Sequence, residues 1–184
     1  MKSYIFALII FCAFGISSIK AQKSSSLVKG VRAGWHYAGM FQSGNQIHDP
    51  LNTFYVGFFS ESNSSGRING GSGLEYFQNG FESAGKLFRM HTLSIPFYVK
   101  PKLGPIYATG GFSLNFSISD NQDDFPSQVS DTEWFDIPLH LGLGLQLGPI
   151  RGEVKYFWGL FEAATIQGKA YNNQYLQAGL GFSF

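Results

Sequence analysis

Apolar and polar positions alternate along most of the chain from about residue 26 onward, in eight runs with the two-residue period of a β-strand. The first run sets Val31, Ala33, Trp35 and Tyr37 against Gly30, Arg32, Gly34 and His36. The second sets Phe54, Val56 and Phe58 against Tyr55, Gly57, Phe59 and Glu61. In the third, Arg67 to Phe77, the residues Ile68, Leu74 and Tyr76 share a face with Gly70 and Ser72. The fourth opposes Leu93, Ile95, Phe97 and Val99 to Thr92, Ser94, Pro96, Tyr98 and Lys100. The fifth opposes Ile106, Ala108, Phe112, Leu114 and Phe116 to Tyr107, Thr109, Gly111, Ser113 and Asn115. In the sixth, Phe135, Ile137 and the leucines from Leu139 to Leu147 oppose Asp136, Pro138, His140, Gly142, Gly144 and Gln146. The seventh has Ile150, Val154, Tyr156 and Trp158 against Arg151, Glu153, Lys155 and Phe157, and the eighth ends Leu176–Phe184 with every even position apolar.

The connections between runs alternate in length. Residues 38–52, 78–87, 118–132 and 161–172 read as long polar loops, and residues 61–66, 101–104 and 148–149 as short turns. Long loops on one side and short turns on the other are the mark of transmembrane barrels. The pattern therefore predicts an all-β, eight-stranded antiparallel transmembrane β-barrel of outer-membrane type, placed in the bacterial outer membrane. The charges bear this out, for Arg32, Glu75, Lys100, Asp136, Arg151, Glu153 and Lys155 all share the polar face, with Glu61 and Arg67 joining them near the turns. That face must be the lumen, because a cation on the lipid face costs about 2–4 kcal/mol at the midplane. Trp35, Tyr37, Tyr156 and Trp158 fall at the long-loop ends of their strands, and Phe58, Phe182 and Phe184 near the short-turn ends, as two interfacial aromatic girdles would.

The two termini of the sequence carry their own signals. Met1-Lys2, an apolar run from Tyr4 to Phe14 and a cleavage site after Ala21 read as a signal peptide, residues 1–21, ahead of a barrel domain at 22–184. The only cysteine, Cys12, lies within that apolar run, and Phe11 before it does not fit lipoprotein cleavage, so the mature chain has no thiol chemistry. Two of the 13 basic residues, Lys2 and Lys20, leave with the leader, so 11 basic side chains face 12 acidic ones. That balance carries no nucleic-acid footprint. Aromatics at 17% and 23 glycines suit membrane interfaces and a tightly curved sheet. A strand ending on an aromatic residue resembles the export signal of outer-membrane barrels, which makes Phe182 and Phe184 the candidate insertion signal for the barrel-assembly machinery.

Leu93-Ser94-Ile95-Pro96-Phe97-Tyr98-Val99-Lys100 with Ile106-Tyr107-Ala108-Thr109-Gly110-Gly111 resembles the PorT-like outer-membrane β-barrel family of Bacteroidetes-type bacteria. So do Gly142-Leu143-Gly144, then Val154-Lys155-Tyr156-Phe157-Trp158-Gly159-Leu160 and the last strand, and more loosely Gly73–Gly80. The resemblance covers nearly all of the mature chain and implies the barrel architecture. One member of that family is associated with secretion, most have no assigned activity, and no catalytic residues carry over.

Eight strands enclose an interior just wide enough to be filled by side chains. The lumen charges, with Tyr55, Phe59, Tyr98, Tyr107 and Phe157, read as a salt-bridged plug, and alternatively as a narrow ion or solute path. His36 and His140 point inward as hydrogen-bonded fillers, since no close-spaced ligand set accompanies them, and neither a metal nor a cofactor is expected. Arg89 and His91 share the lipid-facing parity of Leu93 at the loop end of the fourth strand, and are candidates for contact with an anionic outer-leaflet glycolipid. A lipid-modifying or proteolytic enzyme would need a cluster such as His48 and Asp49 with Asp120, Asp123, Asp124 or Asp131. No catalytic constellation stands out, so the expectation is a non-enzymatic envelope scaffold or surface interaction protein. Its long loops, carrying Phe41, Phe81, Phe125 and Phe161, would meet an envelope or extracellular protein, while the wall meets outer-membrane lipid.

Overall fold

The computed structural model describes residues 26–42, 45–46, 49–63, 67–83, 86–121, 129–166 and 169–184. The expected leader, His48, Asp123, Asp124 and Phe125 lie outside the described residues, as do the side chains of Asp131 and Phe161.

The strands are β1 (Ser26–Gln42), β2 (Asn45–Gln46), β3 (Asp49–Asn63), β4 (Ile68–Ser83), β5 (Lys86–Leu103) and β6 (Ile106–Asp120). They continue as β7 (Val129–Thr132), β8 (Phe135–Asp136), β9 (Pro138–Leu147), β10 (Ile150–Ile166) and β11 (Lys169–Ser183). Eight of them close a ring of antiparallel pairs, β1-β3-β4-β5-β6-β9-β10-β11, with β11 returning to β1. The short strands are additions to this wall: β2 on β1, β8 on β6 and β7 on β10. Closure removes every long open edge, which a sheet in hydrocarbon requires.

The eight predicted runs form the eight walls with the predicted parity. Along β9 the leucines at odd positions face out and the intervening residues face in: Leu143 is 67% exposed and His140 is 2% exposed. A continuous exposed band of Leu, Val, Ile and Phe has no place in water, and a bilayer is the solvent that fits it. Two of the short turns are Gly104-Pro105 and Gly148-Pro149. Each glycine has φ near +60°, at 62° and 60°, and each proline supplies the fixed negative φ that follows.

The predicted long loops need correction. The described parts of residues 38–52, 78–87, 118–132 and 161–172 are mostly strand. β1 runs to Gln42, β4 to Ser83, β5 starts at Lys86, and β10 and β11 approach each other at Ile166 and Lys169. Beyond the level of Trp35 the barrel wall continues as paired hairpins, a crown. There the parity inverts in chemistry although not in geometry. Met40, Leu51, Phe81, Phe88 and Met90 point inward and are buried, while Asn52, Gln78, Glu82 and Arg89 face out. The physical reason is the change of outer solvent from hydrocarbon to water. A polar outward face with an apolar inward one is the ordinary half-buried strand, so a search for apolar outward positions loses these segments.

Candidate functional site

The lumen is packed in layers. Nearest the short turns, Glu61 is the hub. Its carboxylate pairs with Lys100 at 3.0 Å and with Arg151 at 2.5 Å, and accepts the Tyr98 hydroxyl proton at 2.9 Å. Lys100 also donates to Gln146 Oε1 at 3.1 Å, and Arg151 to Ser183 Oγ at 2.9 Å. The Arg151 guanidinium lies 3.9 Å from the centre of the Phe59 ring, and the Lys100 ammonium 4.1 Å from that of Tyr107. Glu61 was expected only as a neighbour of the network and is its centre on this level. Arg67, expected beside it, sits instead exposed on the β3–β4 turn.

One layer further in, two carboxylates and two cations form a closed square. Arg32 pairs with Glu75 at 2.5 Å and Glu153 at 3.4 Å, and Lys155 lies 3.2 Å from each. Tyr107 donates to Glu153 at 3.2 Å. Buried charge is tolerated only when paired and hydrogen-bonded, and each of these carboxylates has at least two cationic partners. The room comes from glycine on facing strands: a Cβ on Gly71 would meet the Tyr98 ring at 2.6 Å, and one on Gly144 would overlap the ring of Tyr107.

Asp136 shares the inward face with these charges but lies at a different height. The pairing row that joins Gly57 to Glu75 and Ser94 climbs on through Asn115 to Asp136, because the strands tilt. Asp136 therefore lies toward the crown, where Asn79, Thr92, Asn115 and Asn173 surround a space of about 10 Å³, the size of one water.

Between the charges and the crown the lumen is filled by rings. Tyr55, Phe77, Phe157 and Tyr175 are all buried, with Phe157 stacked on Tyr175 at 4.3 Å. His36 lies among them, stacked on Phe77 and hydrogen-bonded through Nε2 to Asn79 at 3.0 Å, while Gln177 donates to its Nδ1 at 3.4 Å. It is a filler, as expected. His140 packs on Phe157 at 4.9 Å, and the two histidines join no metal-holding group among the described residues. The short-turn end opens into a recess of about 280 Å³ lined by Glu61, Lys102, Gln146, Arg151 and Ser183 among others.

On the outer face, the Trp35 and Tyr37 rings lie tilted with centres 5.4 Å apart, and those of Tyr156 and Trp158 tilted at 4.6 Å. Tyr37 and Tyr156 both pair with Leu176, so these four rings flank β11 on one sector of the wall. Trp134, not singled out from the sequence, is 67% exposed and forms a second cluster with Phe116 and Phe135. Its place outside the alternating runs hid it. Phe81, expected as an exposed contact, is fully buried in the crown, and Phe41 is half-buried. Phe182 faces out on the strand that closes the ring, Phe184 just past that strand is exposed, and the Phe184 N–H donates to Lys29 O at 2.9 Å. Arg89 is exposed and His91 half-buried on the outer face of β5.

No family model matches the sequence, and no curated protein matches it. The fold is similar to that of the Yersinia pestis outer membrane protein Ail in a phospholipid bilayer nanodisc, at a TM-score of 0.51 and 11% identity over 86% of this chain and 100% of that one. The crystal structure of Ail, the attachment invasion locus protein, gives 0.47 and 11% over 88% and 100%. Neisserial surface protein A gives 0.48 and 14% over 85% and 97%. The fold is the eight-stranded outer-membrane barrel. The apolar outer band and the paired charges inside place it in that membrane with its polar face inward.

Proposed function

We propose that this outer-membrane barrel is a non-enzymatic scaffold of the PorT-like kind, whose crown presents a rigid surface to an envelope or extracellular partner. The observation that carries the reading is the crown itself. Its hairpins continue the wall beyond the lipid-facing band and hold their own apolar centre of Met40, Leu51, Phe81, Phe88 and Met90. A preformed surface binds without the ordering cost that a floppy loop incurs. A lumen filled by rings and paired charges supports anchoring over passage of solutes. The Pro96 and Lys100 of the PorT-like motif both face inward on β5, which accords with a structural role for that motif. Trp35, Tyr37, Tyr156 and Trp158 serve in this reading as interfacial anchors, and Phe182 and Phe184 as the edge met by the barrel-assembly machinery.

Crosslinking in native membranes followed by co-purification tests the scaffold. A reproducible partner lost on shortening one crown hairpin supports it. A barrel with no partner, whose deletion alters outer-leaflet lipid structure, would sink it in favour of an enzyme.

A second reading, a narrow path for ions, draws on one observation. Ser94 Oγ, Ser113 Oγ, Thr109 Oγ1 and His140 Nδ1 are buried on the lumen side of β5, β6 and β9 and find no hydrogen-bond partner among the described residues. Conductance across planar bilayers separates the two readings.

A further inference from the structure

The outer face of a membrane barrel is covered by lipid by necessity, so a polar constellation built on that face selects among headgroups. One such constellation lies where β4 and β5 leave the apolar band. Tyr76 and Gln78 of β4 and Arg89 and His91 of β5 share the outward parity. Gln78 pairs with His91 and Gly80 with Arg89. Gln78 Nε2 donates to the Tyr76 hydroxyl at 3.4 Å, and that hydroxyl lies 2.6 Å from His91 Nδ1. Where the Tyr76 hydroxyl donates to Nδ1, the neutral imidazole carries its proton on Nε2 as a donor, and the protonated ring keeps that donor as well.

Arg89 is positioned by its backbone. Its N–H donates to Asn121 Oδ1 at 2.8 Å and its carbonyl accepts the Asn121 N–H at 3.3 Å, while Asn121 Nδ2 donates to Leu87 O at 2.9 Å. Its cross-strand neighbour Gly80 has no side chain to cover it. Its guanidinium makes no ion pair among the described residues. The nearest carboxylates along the pairing belong to Glu82, opposite Leu87, and Asp120, opposite Met90. The height is that of the headgroups: Tyr76 pairs with Val56, two positions along β3 from Phe54, the partner of Trp35.

We propose that Arg89 and His91, with Tyr76 and Gln78 behind them, form a binding site for the phosphate of a phosphorylated outer-leaflet glycolipid. A guanidinium and an imidazole two positions apart on one face of the wall offer donors that match a phosphate's acceptor oxygens. The apolar band directly below receives the acyl chains, which orients the headgroup onto the pair. The site rests on the outer-membrane placement and adds a lipid ligand to the scaffold.

The test is native mass spectrometry of the full-length folded barrel with diphosphoryl lipid A and, separately, with the same lipid lacking its phosphates. The wild-type protein should retain the phosphorylated lipid preferentially. Arg89→Ala should reduce that preference roughly fivefold, the worth of one cation at an anionic surface, and His91→Ala, which removes a hydrogen-bond donor, should reduce it by less. Arg89→Lys should keep most of it, and Lys29→Ala at the short-turn end should leave it unchanged. Equal retention of the two lipids by wild type, or an unaltered preference in both alanine variants, overturns the proposal. The wild-type comparison decides even where a variant fails to fold. Failure of the wild-type chain to fold into bilayers would overturn the membrane placement as well, so the two claims fail separately.

Discussion

Arg151 and Glu61, 90 positions apart in the chain, meet at 2.5 Å beside the short turns and tie β10 to β3 across the lumen. Each is nearly fully buried, so removing Glu61 leaves Arg151 without its carboxylate, whereas removing Arg151 leaves Glu61 with Lys100. Breaking such a pair costs about 3–5 kcal/mol, whereas replacing both charges is often neutral. Glu61→Ala should therefore lower the urea midpoint of folding in liposomes, and more than Arg151→Ala does. Glu61 strands two cations, Lys100 and Arg151, and Arg151 strands none outright, because Lys100 still holds Glu61. Equal midpoints for both variants and wild type would show that the hub contributes nothing to stability.

The ring layer predicts a silent barrel. Tyr55, Phe77, Phe157 and Tyr175 fill the section above the charge square, and the recess at the short-turn end reaches inward to Glu61 and Arg151. Planar-bilayer recordings should show no steady channels of porin size. The double variant Phe157→Ala/Tyr175→Ala, which removes the stacked pair, should introduce conductance if the rings are the barrier. Porin-sized channels in the wild-type protein would overturn the plug and promote the transport reading.

The wall was legible because period-two alternation reports directly which side of a strand meets hydrocarbon. Leu139 to Leu147 and Ile150 to Trp158 could be assigned a face from parity alone, and the lumen charges followed from the same parity. The crown was not legible for the same reason. At Met40, Phe81, Phe88 and Met90 the apolar residues change sides, and the polar outward residues read as loop. Which charges meet was also beyond the sequence. Glu61 and Asp136 share a face, but strand tilt carries Asp136 along its pairing row toward the crown, while Glu61 stays among Lys100 and Arg151. Parity gives the side of the sheet, and only register gives the height.

The apolar centre of the crown should be separable from the barrel below. Phe81 and Phe88, with ring centres 5.1 Å apart, pair across β4 and β5 and are both fully buried. Removing a buried phenyl ring costs about 3–5 kcal/mol. Phe81→Ala should open the β4–β5 hairpin to added protease while the membrane-embedded part keeps its heat-modifiable migration on gels. Protease resistance equal to wild type would mean that the crown does not depend on this pair.

The inversion of chemistry along a single strand makes the sharpest test, and β5 carries it. In its lower half Leu93, Ile95, Phe97 and Val99 face out toward hydrocarbon, and Ser94, Tyr98 and Lys100 are buried inside. In its upper half Arg89 faces out at the level of the headgroups and Leu87 above it toward water, and Phe88 and Met90 are buried. Single cysteines placed along β5, in a background with Cys12→Ser, should therefore fall into three classes. Positions 93, 95, 97 and 99 should react with a membrane-soluble maleimide and be shielded from a charged one. Positions 87 and 89 should react with the charged reagent. Positions 88, 90 and 94 should react with neither until the protein is unfolded. The parity is the same throughout, so the change from lipid-soluble to water-soluble labelling between 93 and 89 marks where the wall leaves the bilayer. Equal labelling of odd and even positions would refute the register and, with it, the barrel. Lipid-soluble labelling extending to 87 would instead place the crown inside the membrane and remove the aqueous docking surface from which the scaffold reading starts.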